Sequence, residues 1–136
     1  MLTRVIYKVS AINGKSLEQD LSESQVYLLQ LLAYHGTMRC SVLAKELRIT
    51  MPAVTNLANK LVRKGYIQRE IPEHDRRLIL LSLTSLGETV LGHVNAQHEE
   101  LMNALWGDFS GEELERLQKS FNKMDNRLTV ISEASE

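Results

Sequence analysis

The feature that most constrains this chain is a pair of short helical patterns separated by only two residues. Apolar side chains recur at positions i, i+3, i+4 and i+7 in both patterns, which is the spacing of one helix face. Only Arg48 and Ile49 lie between the two helices, and a junction this tight predicts a helix-turn-helix. The apolar positions are Cys40, Leu43, Ala44 and Leu47 in the first helix and Val54, Leu57, Ala58 and Leu61 in the second.

The sequence also contains signals for both ends of the second helix. Thr50 is a good N-cap residue, and Pro52 is tolerated in a first helical turn because that turn has no use for its missing N–H. Gly65 stands where a left-handed residue is expected to end the helix. These signals predict a helix that begins at Thr50 and ends at Lys64.

A β-hairpin is predicted directly after the helix-turn-helix. The segments Tyr66 to Glu70 and Leu78 to Leu83 are rich in strand-forming residues, and residues 71–75 form the polar connection between them. A hairpin in this place is called a wing. The fold class predicted is therefore mainly α with a small β-hairpin, a winged helix-turn-helix flanked by further helices.

The flanking helices carry long apolar faces. Residues 2–12 place five aliphatic side chains on one face before an apparent polar break at residues 13–15, and residues 22–34 should form a central core helix that starts with a capping box. Two more capping boxes predict the starts of two long C-terminal helices. The three boxes are Ser22 with Gln25, Ser85 with Glu88, and Ser110 with Glu113.

A chain of 136 residues with 43% hydrophobic and 24% charged residues is expected to form one soluble domain. We expect a winged helix-turn-helix core over residues 21–84 and dimerisation helices over residues 1–12 and 85–133. Their surplus apolar surface most simply meets a second copy, which predicts a homodimer. Without a signal-peptide pattern or a membrane-length apolar run, the expected location is cytoplasmic, with no membrane partner.

Charge is distributed unevenly along the chain. The net charge is −1, but from Gly36 to Arg77 nine Lys or Arg stand against four Asp or Glu, whereas the remainder has seven against thirteen. The winged segment thus carries +5 and the rest −6. A local basic segment of this kind is typical of a protein that contacts nucleic-acid phosphates.

The side of the second helix opposite its apolar stripe is polar. It carries Pro52, Asn56, Asn59 and Arg63, with Thr55 and Lys60 on the flanks. Amide, hydroxyl and cationic groups suit base edges and phosphates. The helix is therefore a candidate recognition helix for double-stranded DNA.

Several of these segments together resemble one known family. LAKEL in the first helix, LVRKGYIQR at the end of the second and DRRLILLSLT in the wing are similar to the MarR family of winged-helix transcription regulators. The wing is the most specific part, because that family shows an Asp, any residue, an Arg, five residues and then Leu-Thr. Asp75, Arg77, Leu83 and Thr84 match this pattern.

The resemblance implies a homodimer that binds an inverted repeat and acts as a repressor. Two recognition helices in successive major grooves would lie about 34 Å, or roughly 10 base pairs, apart. We expect Asn56 and Asn59 to contact base edges, and Thr55, Lys60 and Arg63 to contact phosphate. The arginines of the wing tip would reach the minor groove. The complete set of predicted DNA-binding residues is Arg39, Thr50, Pro52, Thr55, Asn56, Asn59, Lys60, Arg63, Asp75, Arg76 and Arg77.

Two members of this set need a separate explanation. By resemblance, Asp75 braces an arginine, and residues 75 and 77 on one face of an extended strand would bring Asp75 to Arg77. A solvated charged tip is the simpler alternative. Arg39 stands where relatives often have a capping Thr or Ser, so either Thr37 caps the first helix or Arg39 contacts phosphate.

Sensing is less defined than DNA binding. The family responds to small phenolic or lipophilic effectors or to oxidants, and the sequence does not choose between them. Cys40 lies on an apolar stripe, which favours a small buried hydrophobe over a redox switch. Tyr7, Tyr34, His35 and Trp106 are candidates for lining a ligand cleft, but aromatic side chains at helical spacing are more often core, so none is assigned. The candidate metal ligands are His35, His93, His98, Glu99 and Glu100. His93 and His98 are five residues apart, whereas two ligands on one helix need a spacing of three or four, so no metal or other cofactor is expected.

Enzyme function has little support in the sequence, because it contains no phosphate-binding glycine loop, no nucleophile motif with a placed base and no metal signature. One alternative of a different class stays open. A winged helix can serve as a protein-interaction module without specific DNA binding, since fold alone does not decide function. The basic wing favours the DNA-binding regulator.

Overall fold

A computed structural model describes residues 1–16 and 21–135 of the chain. The described part is mainly helical with one small antiparallel sheet, as the sequence predicts. It divides into two compact units, Met1–His98 and Glu99–Glu136, and the boundary falls within a long helix. The elements are α1 (Leu2–Ser16), α2 (Glu23–His35), β1 (Met38–Arg39), α3 (Cys40–Leu47), α4 (Met51–Arg63), β2 (Ile67–Glu70), β3 (Leu80–Leu83), α5 (Ser85–Trp106) and α6 (Gly111–Glu133).

The core of the first unit is built around α2. This helix is apolar around much of its circumference, and five of its residues are buried, so it packs against several neighbours at once. The apolar stripes of α3 and α4 close over it together with the sheet. Close packing of large aliphatic side chains is the main stabilising term for a unit of this size. The largest fully buried side chains are Leu28, Leu29, Leu32, Leu43, Val54, Leu61, Ile67 and Leu81.

The predicted helix ends are largely confirmed. The Thr50 hydroxyl accepts a hydrogen bond from the Ala53 N–H at 3.3 Å and caps α4, and Gly65 follows that helix with φ +76°. Between α3 and α4, Arg48 adopts a left-handed conformation with φ 55°. A single residue in this conformation lets the chain turn from α3 into α4 over the three residues 48–50, which produces the tight helix-turn-helix.

The sheet contains one strand more than the sequence predicts. β3 lies in the centre, with β2 and the two-residue β1 antiparallel on its two sides. Leu81 of β3 is the shared position, opposite Met38 on one side and Arg69 on the other. β1 is too short to show an alternating pattern, so nothing in the sequence marked it. The strands of the wing are Ile67–Glu70 and Leu80–Leu83, and their connection spans residues 71–79 instead of the predicted 71–75.

Three local expectations were wrong. The backbone of α1 continues as helix through Asn13, Gly14 and Lys15 to Ser16, because weak helix formers cost only about 0.5–1 kcal/mol each and do not force a break. Thr37 does not cap α3. The N-cap position is Arg39, whose side chain makes no capping bond, and the Cys40 N–H donates instead to the Ile79 carbonyl at 3.0 Å.

The third correction concerns the start of α5. Ser85 is the first helical residue, and the residue before it does the capping. The Thr84 hydroxyl accepts from the Gly87 N–H at 3.0 Å and donates to the Gly65 carbonyl at 2.5 Å. The Thr84 N–H donates to the Tyr66 carbonyl at 3.1 Å. Thr84 therefore joins the end of α4, the wing and the start of α5. The boxes at Ser22 and Ser110 form as predicted.

Each unit leaves an apolar helix face exposed. In the first unit, α1 exposes Leu2, Val5, Ile6 and Ile12. In the second unit, α6 contains no buried residue, although its apolar stripe includes Phe121, Met124, Leu128 and Ile131. Among the residues described, no helix is long and apolar enough to cross a membrane.

Candidate nucleic-acid interface

The candidate interface is the outer face of α4 together with the wing. Val54, Ala58 and Leu61 hold the helix on the core, and this leaves the opposite side of the helix to solvent. Every predicted contact residue on α4 is exposed. These residues are Pro52, Thr55, Asn56, Asn59, Lys60 and Arg63, and the capping residue Thr50 is exposed beside them.

One of these polar groups, the Thr55 hydroxyl, already makes a hydrogen bond within α4. The Thr55 hydroxyl donates its proton to the Met51 carbonyl one turn earlier, at 3.0 Å. A hydroxyl has one proton to give, so in this arrangement Thr55 presents its methyl group and its oxygen lone pair outward. A donated bond from Thr55 to phosphate would require this hydroxyl to rotate.

Asn59 makes a contact that the sequence analysis missed. Its Oδ1 accepts a hydrogen bond from Nη2 of Arg69 on β2, at 2.7 Å. Arg69 is one of the nine basic residues between Gly36 and Arg77, and its position in the sequence does not indicate this contact. Helical and strand periodicity each describe one element, so neither pattern reports a contact between α4 and the wing.

The wing tip brings Asp75 to Arg77, as the resemblance implies. Asp75 Oδ1 accepts from the Arg77 backbone N–H at 3.0 Å and from its Nε at 3.1 Å. The expected reason was wrong, because residues 76–77 form a turn and not an extended strand. The Asp75 side chain is 28% exposed while that of Arg77 is 91% exposed. The carboxylate thus anchors the base of a guanidinium that remains fully available to a partner.

Arg39 and Arg77 line the same small cleft between the start of α3 and the base of the wing. The cleft has a volume of about 70 Å³ and is also lined by Cys40, Ser41 and Met51, among others. Two predicted DNA-binding arginines from distant parts of the sequence therefore lie together. Arg76 is exposed at the tip.

Cys40 is buried, and burial raises the pKa of its thiol, with the positive charge of Arg69 acting in the opposite direction. A thiol with a raised pKa stays protonated at neutral pH and is a weak nucleophile. This supports the interpretation of Cys40 as a small buried hydrophobe.

Lys60 and Arg63 line a second, open cavity of about 630 Å³. Its other described lining residues are Leu21, Ser22, Gln25 and Lys64. The cavity lies beside the first turn of α2, whose N-terminus adds a partial positive charge. Cationic groups thus continue from the outer face of α4 towards α2.

The remaining candidates do not gather into a site. Tyr34 and His35 pack edge to face with ring centroids 4.7 Å apart, and Trp106 makes a similar contact with Phe109 at 5.4 Å. Neither cavity described above is lined by Tyr7, Tyr34, His35 or Trp106. Within residues 1–16 and 21–135, no three His, Cys, Asp or Glu side chains lie close enough to hold a metal ion.

Comparison with known proteins decides the family. The MarR family model matches residues 21–79, which contain the central helix, the helix-turn-helix and most of the wing. The HTH-type transcriptional repressor MdtR of Bacillus subtilis (strain 168) is 31% identical over 114 residues, covering 83% of this chain and 74% of that protein. The chain belongs to the MarR family.

Solved structures of similar proteins agree with this assignment. Streptococcus pneumoniae FabT, solved in complex with DNA, superposes with a TM-score of 0.85 at 27% identity and covers 96% of this chain and 94% of its own. A MepR–DNA complex from S. aureus has a TM-score of 0.76 at 28% identity and covers 93% and 94%. This MarR-family chain therefore shares its winged helix-turn-helix with proteins that have been crystallised on DNA.

Proposed function

We propose that this chain is a transcriptional repressor that binds an inverted repeat of double-stranded DNA as a homodimer. As a member of the MarR family, it is a DNA-binding transcription regulator. Several of its relatives are repressors by name, among them MdtR of Bacillus subtilis and the homoprotocatechuate degradative operon repressor of Escherichia coli. Repression, the symmetry of the binding site and the roles of individual residues are our proposal.

One observation carries the proposal more than any other. A capped helix with an exposed polar face lies in the same unit as a wing tip whose arginine is held by Asp75. An ion pair this exposed contributes little to stability, so its orientation of Arg77 is better explained by a partner that the guanidinium contacts. The local excess of five positive charges favours an anionic partner.

In the complex, α4 would lie in the major groove. Asn56 and Asn59 would face base edges, and Lys60, Arg63 and Arg39 would contact phosphates on either side. Arg76 and Arg77 would enter the adjacent minor groove, where a narrow A·T-rich segment attracts guanidinium groups. The Thr50 cap holds the first turn of α4, including Pro52, against the backbone of the duplex.

Dimerisation would set the spacing of the two half-sites. The exposed apolar faces of α1 and α6 are large enough to need cover, and a second copy is the simplest cover for a symmetric DNA reader. Twofold symmetry would place the two α4 helices in successive major grooves, roughly 10 base pairs apart. We also propose a cytoplasmic location, where the chromosome of a bacterial regulator lies. The resemblance adds a small-molecule effector that releases the DNA.

Selection of binding sites from a pool of random duplexes tests the function directly. We expect an enriched inverted repeat with half-sites centred about one helical turn apart. A failure to enrich any sequence would instead favour a winged helix used for protein contact.

A salt titration of DNA affinity then tests the wing. Arg77→Ala should weaken DNA binding and lower the slope of log K against log salt by about 2, because a dimer loses one cation near the phosphates from each of its two wings. Arg116→Ala is a matched control, since Arg116 lies exposed on α6 and pairs only with Glu112 in its own helix. Equal slopes for the wild type and Arg77→Ala would exclude the assigned role of Arg77.

A further inference from the structure

The contact between Arg69 and Asn59 fixes which atoms of the Asn59 amide are available to DNA. Arg69 belongs to strand β2 of the wing, and Asn59 belongs to the outer face of α4. Their side chains meet at 2.7 Å through Arg69 Nη2 and Asn59 Oδ1, and both residues are exposed. The contact therefore lies on the proposed DNA-facing surface and not in the core.

The chemistry of arginine settles the orientation of the amide. A guanidinium has five N–H donors and no acceptor, so the atom of Asn59 that faces it must be the oxygen. The amide NH₂ group cannot take this position without setting donor against donor. Consequently the wing takes one of the two lone pairs of Oδ1 and places a positive charge beside the other. Nδ2, which carries the two N–H donors, is the group that Asn59 offers to a base more readily.

Free asparagine reads adenine by accepting from N6–H₂ and donating to N7. That mode needs an Oδ1 facing a base donor, whereas here a guanidinium lies on the same oxygen. An adenine amino group brought to this place would meet the positive charge of Arg69. Guanine differs because both of its major-groove atoms, O6 and N7, are acceptors.

We propose that Arg69 is a positioning and specificity-determining residue, which orients the Asn59 amide so that its N–H donors face the base and thereby favours guanine over adenine at the base pair that Asn59 faces. The proposal rests on the proposed placement of α4 in the major groove. It replaces the expectation that Asn59 binds adenine at two points. It also couples the wing to the recognition helix through one hydrogen bond between side chains.

Base preference at a single position is the measurement that tests this role. Asn59→Ala first identifies the base pair, because its preference should disappear at one position per half-site. At that position the wild type should bind guanine about five- to tenfold more tightly than adenine, in line with the roughly 1–3 kcal/mol of a good base contact. Arg69→Met, which keeps the length of the side chain without its donors, should abolish this preference or reverse it towards adenine.

A second variant changes Asn59 of α4 instead of Arg69 of the wing. Asn59→Asp keeps an acceptor for Arg69 but removes the amide donor, so it should lose the guanine preference and bind guanine at least tenfold more weakly. Arg63→Met serves as the control, because it removes a cation one turn further along the same face. This control should weaken binding to all sequences equally and leave every base preference unchanged.

Two results would overturn the inference while leaving the proposed function intact. One is an unchanged purine preference in Arg69→Met, and the other is a wild-type preference for adenine at the position mapped by Asn59→Ala. A wild-type protein that enriches no duplex sequence would overturn the proposed function itself, and the inference with it. Circular dichroism and thermal unfolding of the variants show that each is folded when it is assayed.

Discussion

Helices α4 and α6 are both amphipathic, but only the apolar stripe of α4 is buried within the chain. In α4, Val54, Ala58 and Leu61 are buried within the same chain. In α6, no residue is buried, and Phe121 and Leu128 remain 48% and 55% exposed. The same periodicity thus forms a core in one helix and an uncovered surface in the other.

The difference follows from what surrounds each helix. One side of α4 packs on α2, α3 and the sheet, which together supply enough apolar surface to cover its stripe. α6 has 23 residues and an apolar stripe along most of its length, and none of its residues is buried. Burial of apolar surface is the main driving force of folding and of most association, so an exposed stripe of this kind predicts a partner. The first prediction below tests whether a second copy covers the α6 stripe, and the others test the packing and capping of the first unit.

The largest effect is expected from placing charges in the exposed stripe of α6. Phe121→Asp combined with Leu128→Asp would bury two uncompensated carboxylates from each subunit of the proposed dimer, at a cost of about 4 kcal/mol or more. The dissociation constant should therefore rise by roughly a thousandfold or more. Sedimentation equilibrium should show a dimer for the wild type and a monomer for the double variant.

The matched control adds the same two charges to the polar side of the helix. Asn122→Asp combined with Asn126→Asp should remain dimeric, because both positions face away from the apolar stripe. If the wild type is a monomer at working concentrations, or if both double variants stay dimeric, α6 is not the dimer surface.

The next effect concerns the core that the chain completes by itself. Leu28 is 0% exposed, so Leu28→Ala should lower the free energy of unfolding by about 3 kcal/mol through lost burial and the cavity left behind. Leu86→Ala is the control, because Leu86 is 51% exposed and its truncation should change stability by less than about 0.5 kcal/mol. Urea denaturation measures both values. Equal losses of stability in Leu28→Ala and Leu86→Ala would contradict the difference in burial between these two leucines.

Alanine substitutions at two glycines of α5, Gly87 and Gly92, are expected to change stability in opposite directions, each by less than Leu28→Ala. A Cβ at Gly87 would lie 1.9 Å from the Tyr66 carbonyl oxygen, so Gly87→Ala should destabilise the fold by about 2 kcal/mol. A Cβ at Gly92 would meet no atom within 4 Å, so Gly92→Ala should stabilise the helix by roughly 0.5–1 kcal/mol. Thermal unfolding should show a lower midpoint for the first variant and a higher one for the second. If the unfolding midpoints of Gly87→Ala and Gly92→Ala shifted in the same direction by similar amounts, close packing at Gly87 would be excluded.

The smallest effect is expected at the helix cap of α4. Thr50→Ala removes the hydroxyl that accepts from the Ala53 N–H and should cost about 1 kcal/mol. Thr89→Ala removes a hydroxyl that bonds only the Ser85 carbonyl within a helix, and this change should cost less than about 0.5 kcal/mol. Chemical denaturation can separate these values. Loss of stability at Thr89 equal to that at Thr50 would contradict the capping role.

Sequence reasoning succeeded where one element carries its own signal. The cap at Thr50, the left-handed Gly65 and the two capping boxes at Ser22 and Ser110 are local patterns of hydrogen-bonding side chains, and all four formed as predicted. The MarR resemblance added the pairing of Asp75 with an arginine, which periodicity alone does not contain.

It failed where a feature depends on two elements at once. The strand at Met38–Arg39 exists only because β3 lies beside it, and the Arg69–Asn59 contact joins the wing to α4. Likewise, Ser85 matched the capping pattern, but Thr84 caps α5 because its hydroxyl also reaches the Gly65 carbonyl. Tertiary neighbours decide such details, and a single sequence does not display them.

Thr84 also gives the molecule a mechanical property. One side chain and its own backbone N–H hold the end of α4, the root of the hairpin and the first turn of α5. A displacement of the first turn of α5 would therefore act directly on the residue that ends α4 and on the root of the hairpin. Loss of the Thr84 hydroxyl alone would remove two of these three bonds and loosen the junction of all three elements.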